Sequence, residues 1–143
     1  MMTRTVAAPG IQPASAEDTR AVFAGLLAFN QAASGDALDD QPVNKVIHDA
    51  TGQVVAGIAA EVCGGWLMVH ALWVDDSRRG EGLGQALLAD AEHQARALGA
   101  HAVTLDTFSW QAEGFYLKQG YEVFGRLQDF PIGHQRLYLR KRL

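Results

Sequence analysis

Hydrophobic and polar positions follow more than one rhythm along this chain. Val22, Phe23, Leu26, Leu27 and Asn30 recur at helical spacing. They follow Ser15-Ala16-Glu17-Asp18, a capping box that satisfies the free N–H groups of a helix start. Gly35 to Pro42 is polar and acidic and predicts a surface loop. From Asn44 the rhythm shortens to β runs. Lys45–His48 and Gln53–Val62 flank the hairpin turn Asp49-Ala50-Thr51-Gly52. Gly64-Gly65 then turns the chain into Trp66–Val74, which is apolar on both faces and so predicts a central strand. These strands form an antiparallel meander, and Thr3 to Ala8 predicts a further short strand ahead of them.

The next stretch changes character. After Asp75-Asp76-Ser77 a glycine-rich loop leads into a helix from about Gly82 to Leu98. Leu83, Leu87, Ala91, Ala95 and Leu98 share one face of it, and Gly99 suits its end. His101 to Leu105 predicts the following strand, so strand, helix and strand make a right-handed crossover between parallel neighbours. A second helix, about Gln111 to Gln119, stops at Gly120. Tyr121–Leu127 and Gln135–Arg140 predict closing strands joined through Phe130-Pro131-Ile132-Gly133. The sum is an α/β domain with a mixed sheet and helices on both faces.

Composition narrows the class. A chain of 143 residues and 15.4 kDa predicts a single domain over residues 1–143. Its net charge of −4 points away from nucleic acid and from anionic membranes. The basic cluster Arg136, Arg140, Lys141 and Arg142 reads as a solvated strand end. Cys63 stands alone in an apolar run and reads as a small buried hydrophobe. The five histidines show no ligand spacing, so no metal is expected. With no leader-like segment over Met1 to Pro13 and no bilayer-length run, the expected location is cytoplasmic.

The chemistry concentrates in Arg79-Gly80-Glu81-Gly82-Leu83-Gly84. Glycines between a strand and a helix allow unusual backbone angles and close approach of a ligand. The helix start adds free N–H donors and a positive dipole end. Arg79 adds a charge that does not titrate near neutrality. Those features define an anion site. They fit neither a Walker loop, since Gln85 and Ala86 follow Gly84, nor the full dinucleotide fingerprint. A tight strand-to-helix turn is the alternative reading of the same residues.

Arg79, Gly82 and Gly84 match Gln/Arg-x-x-Gly-x-Gly/Ala, and Gly114 to Tyr121 looks like a Phe-Tyr-x-Lys-x-Gly-Phe segment. In these motifs, from about Glu17 to Leu143, the chain resembles the GNAT superfamily of acyl-CoA-dependent N-acyltransferases. The resemblance implies a mostly antiparallel sheet of six to seven strands around the parallel strand-helix-strand unit. It implies acetyl-CoA as co-substrate. Backbone N–H groups of Gly80, Glu81, Gly82, Leu83, Gly84 and Gln85 would hold its pyrophosphate beside Arg79. Leu72, Trp73 and Val74 would pair with the pantetheine arm, and the strands ending near Val74 and Asp106 would splay to admit the thioester. Transfer to the amine would be direct, in a ternary complex.

Amine attack on a thioester sets two proton tasks. Tyr116 matches the family tyrosine near the sulfur and would protonate the leaving thiolate. Glu61 is a candidate base, against a plain solvent-facing role or a water chain. Phe29, Asn30, Asp106, Thr107, Ser109, Gln111 and His134 are expected around the acceptor, with Ser109 as a helix cap in the alternative. The expected acceptor is a small-molecule primary amine. A protein lysine or N-terminal amine, and a non-catalytic acyl-CoA sensor, stay open beside it. A homodimer is possible, with the terminal strand as a plausible pairing edge.

Overall fold

The structure, a computed structural model, describes residues 9–143. The strand expected at Thr3 to Ala8 lies outside them. The described residues fall into two compact units, the second spanning Ala37–Leu143. The first unit contains helix α1 (Ala16–Ser34). Ser15 caps it: its hydroxyl accepts from the Asp18 N–H at 3.0 Å, and the Asp18 carboxylate accepts from the Ser15 N–H at 2.9 Å. The expected capping box is therefore formed.

The second unit carries β1 (Gln41–His48), β2 (Val54–Cys63), β3 (Trp66–Val74), α2 (Leu83–Ala97) and β4 (Ala102–Phe108). Helix α3 (Glu113–Lys118), β5 (Glu122–Gln128) and β6 (Gln135–Arg142) complete it. The six strands lie in the order β1-β2-β3-β4-β6-β5. Every neighbouring pair is antiparallel except β3 with β4. This is the mixed sheet with a parallel crossover that the pattern predicts.

Local chemistry sets the turns. Asp49 Oδ1 accepts from the Thr51 and Gln53 N–H groups at 2.8 and 3.0 Å, closing the first hairpin. Strand β1 begins earlier than expected, at Gln41, and takes in Pro42. A proline is tolerated there because β1 is an edge strand. The chain's last strand is not an edge. Strand β6 lies between β4 and β5, so the pairing edge expected at the terminus is instead β5 or β1.

The core lies between α2 and one face of the sheet. Leu67, Leu88, Leu137, Leu139, Val43 and Val103 are its largest wholly buried side chains. Helix α2 turns Leu87, Leu88, Ala91, Glu92 and Ala95 inward. Leu98, expected on that face, is its C-cap and is exposed, because the helix ends before it. Glu92 enters the core because Lys141 Nζ meets both its carboxylate oxygens at 2.9 Å. Cys63 donates its thiol to the Leu38 carbonyl at 3.3 Å, and burial first, then Asp40, pushes the thiol pKa up. No described helix is long and apolar enough to cross a membrane.

Candidate active site

Strand pairing itself makes the cleft. Strands β3 and β4 pair only from Trp66–Val69 to Ala102–Leu105. Beyond that point β3 stays with β2 and β4 stays with β6, so a wedge opens between them. At its apex β3 carries a bulge. Ala59 faces Ala71 and Ala60 faces Val69, which leaves His70 without a partner on β2. The wedge continues into a cleft of about 890 Å³. His70, Leu72, Trp73 and Val74 form one wall, Asp106, Thr107 and Phe108 the other, and residues 78–80 with 82–85 form the mouth. Phe115, Tyr116, Lys118 and Gln119 of α3 line the remaining side.

The loop has the anion geometry. Asp75 accepts from the Ser77 N–H at 3.0 Å and from the Ser77 hydroxyl, bonds that hold its carboxyl below the usual range. Gly80 and Gly82 have φ of 83° and 76°, in the left-handed region. A Cβ at either meets nothing within 4 Å, so backbone conformation, not crowding, calls for glycine there. Gly84 is different: its Cβ would make ordinary contacts of 3.6 Å with Phe115 and 3.7 Å with Val74. The first hydrogen bond of α2 runs from the Ala86 N–H to the Gly82 carbonyl. Among the described residues, no N–H from Gly80 through Gln85 donates to a protein acceptor. Arg79 and Arg78 stand beside them, paired with Asp76 at 2.9 Å and Glu81 at 2.7 Å.

Tyr116 closes the inner end. Its ring is buried against Phe115 and Tyr121, yet it lines the cleft, and its hydroxyl makes no hydrogen bond to a described residue. Burial first, and the negative charge of Asp106 second, push its pKa up, so the phenol stays protonated at neutral pH. Asp106 is paired with Arg136 at 2.9 Å. The Arg136 guanidinium in turn lies over the Phe108, Phe130 and Tyr138 rings at 5.6, 5.0 and 5.5 Å. Trp110 stacks on Phe108 with centroids 4.6 Å apart.

Most of the expected residues meet here. Tyr116, Leu72, Trp73, Val74, Arg79, Gly80, Gly82, Leu83, Gly84, Gln85, Asp106, Thr107 and Gln111 all line the cleft. Four do not. Glu81 turns to Arg78, and Glu61 stands behind His70, 2.9 Å from its Nε2. Ser109 and His134 approach each other at 3.4 Å and brace the β5–β6 loop, with the Ser109 hydroxyl accepting from the Gln135 N–H. Phe29 and Asn30 lie on α1, in the first unit. Gln111, not Ser109, organises the turn before α3, accepting from the Phe108 N–H and Thr107 hydroxyl at 2.8 and 2.9 Å. Strand β4 also runs on to Phe108, past its expected end.

His70, Arg78, Phe115, Lys118 and Gln119 also line the cleft, although none of them is among the site residues expected from the sequence. Phe115 and Lys118 are the Phe and Lys of the Phe-Tyr-x-Lys-x-Gly-Phe segment, Arg78 and Gln119 adjoin motif residues, and His70 has no signal of its own. Nothing in Trp66–Val74 marks the bulge that turns His70 into the wedge.

A crossover sheet with a wedge between its parallel strands and a donor-lined helix start is an acyltransferase architecture, and comparison with known proteins gives the family. Residues 14–121 match the model of the Acetyltransferase (GNAT) family. The chain is 33% identical over 129 residues to an acetyltransferase of Agrobacterium fabrum, covering 90% of this chain and 93% of that one. It is 40% identical over 83 residues to the blasticidin-S acetyltransferase of Streptomyces morookaense, covering 57% of this chain and 61% of that one. A crystal structure of an acetyltransferase from Bacillus cereus superimposes with a TM-score of 0.87 at 28% identity, over 94% of this chain and 98% of that one. The same fold recurs in an aminoglycoside 6'-N-acetyltransferase complexed with coenzyme A. That match has a TM-score of 0.62 at 18% identity, over 71% of this chain and 72% of that one. This chain belongs to the Acetyltransferase (GNAT) family.

Proposed function

We propose that the chain works as a single acetyltransferase domain that moves an acetyl group from acetyl-CoA directly to the primary amine of a small molecule. One observation carries the reading: consecutive N–H groups from Gly80 to Gln85 without protein acceptors border a cleft that runs between splayed strands and is also lined by Tyr116. The donors and the positive end of α2 suit a pyrophosphate, with Arg79 adding charge. Strand β3 leaves Leu72, Trp73 and Val74 free of β4, so their backbone is available to a pantetheine arm as an added strand would be. Tyr116, neutral and free to donate, suits protonation of a departing thiolate. The blasticidin-S relative supports a small-molecule acceptor. Asp106 beside the Phe108–Trp110 stack suits a cationic one.

The test is a panel of small amines with acetyl-CoA, following release of free thiol, beside a coenzyme A binding isotherm. Binding with turnover on at least one amine is the expected result. No binding of coenzyme A overturns the reading.

A further inference from the structure

We propose that His70, oriented by Glu61, is the group that takes the proton from the acceptor amine. The two faces of the sheet carry the argument. Ala60 and Val62 of β2, Val69 of β3 and Leu105 of β4 point into the core that also holds Tyr116. Glu61 lies between Ala60 and Val62, and Asp106 follows Leu105, so both project from the opposite face. His70, out of register at the bulge, bonds Glu61 and so joins them there. Tyr116 and the loop leading to α2 belong to one face, and the His70–Glu61 pair belongs to the other. The gap between β3 and β4 connects them. A thioester entering that gap from the loop side meets an amine arriving from the His70 side.

The hydrogen bonding gives His70 the right free atom. Its Nε2 lies 2.9 Å from Glu61 Oε1. A carboxylate only accepts, so Nε2 carries the hydrogen and Nδ1 presents a lone pair, with no protein partner among the described residues. Glu61 does not itself line the cleft, and His70 does. Glu61 from β2 and Asp106 from β4, the latter already paired with Arg136 of β6, share this face with His70, and by strand alternation so do Arg140 of β6 and its partner Glu122 of β5. Helix α2 packs on the other face.

The step balances as follows. The ammonium gives one proton to His70 Nδ1, leaving a neutral amine and an imidazolium beside Glu61. The nitrogen lone pair forms a bond to the thioester carbonyl carbon, and the carbon–sulfur bond breaks. The sulfur takes the Tyr116 hydroxyl proton, and the phenolate recovers one from the attacking nitrogen. The products are an amide, a thiol and one proton, which His70 returns to solvent. His70 is then a catalytic residue, and Glu61 a positioning residue acting through it.

This inference rests on the acetyl-transfer reading, and the experiment separates the two. With an amine that the wild type acetylates, His70→Gln should lose about 100-fold in kcat. Its coenzyme A affinity should stay unchanged, which also reports an intact fold. Imidazole in the buffer should restore turnover to His70→Ala but not to Tyr116→Phe. Glu61→Gln should lose about tenfold in kcat, with partial recovery in Glu61→Asp, a split that a merely structural carboxylate does not produce. Wild-type kcat in His70→Gln or His70→Asn overturns the inference and leaves the acetyl-transfer reading standing. A wild type that binds coenzyme A but releases no thiol with any amine overturns both.

Discussion

Tyr116 and Tyr121 sit edge to face in one buried cluster with different partners. Tyr116 lines the cleft with a hydroxyl that bonds no described residue, and Tyr121 directs its hydroxyl to Glu92 at 3.4 Å. Replacing Tyr116 by Phe should lower kcat about 100-fold and leave coenzyme A affinity unchanged, as steady-state kinetics and calorimetry would show. Burial comes first in raising both phenol pKa values, with Asp106 adding at Tyr116 and Glu92 at Tyr121. The folded state therefore holds these protons more tightly than the unfolded chain does. Their contribution to stability is full below about pH 10 and declines as pH rises beyond it. Melting curves across that range should fall less steeply for Tyr121→Phe than for the wild type. The Glu92–Lys141 pair behaves differently, because its removal leaves a charge in the core. Lys141→Met should cost about 3 kcal/mol by urea denaturation, and adding Glu92→Leu should recover much of it. Glu92 was not legible as a core residue. By helical phase it lies beside Leu88 and Ala95, but only the distant Lys141 makes its burial tolerable.

Among the elements, the loop entering α2 tells its glycines apart. Gly82→Ala forces a side chain into the left-handed region and should destabilise the fold by about 1 kcal/mol. Gly84→Ala meets only ordinary contacts within the protein and favours the helix, so stability should hold or rise slightly. Coenzyme A affinity should fall at least tenfold in both, if the open side of the loop is where phosphate lies. Thermal melting and a binding isotherm on the two variants separate conformation from ligand space. The loop was legible because glycine spacing and the helix start are local. The length of β4 was less so: the pattern predicts a strand from His101 to Leu105, yet pairing with Tyr138, Leu137 and Arg136 carries it on through Asp106, Thr107 and Phe108.

For the whole molecule, the wedge follows from allegiance of strands: β3 is bound to β2 throughout, and β4 to β6. The backbone of β3 beyond Val69 is thus unpaired on its β4 side. Amide exchange around Leu72, Trp73 and Val74 should slow when coenzyme A is added. Adenosine 3',5'-bisphosphate, which lacks the pantetheine arm, should leave it unchanged. Equal protection by both would place the arm elsewhere. The same topology moves the free edges to β1 and β5 and makes the chain's last strand an interior one.

By itself the sequence determined the elements and the anion loop, because capping, alternation and glycine spacing act between residues close along the chain. It also carried the motif residues Arg79, Gly82, Gly84 and Tyr116, which the structure brings to one cleft. Tertiary structure decided what depends on register between distant strands. The unpaired His70, the placement of Glu61 behind it, the insertion of β6 and the burial of Glu92 all arise from pairings that no local pattern encodes. A one-residue shift in a strand exchanges the faces of the sheet, and here it separates a residue at the cleft from one that supports it.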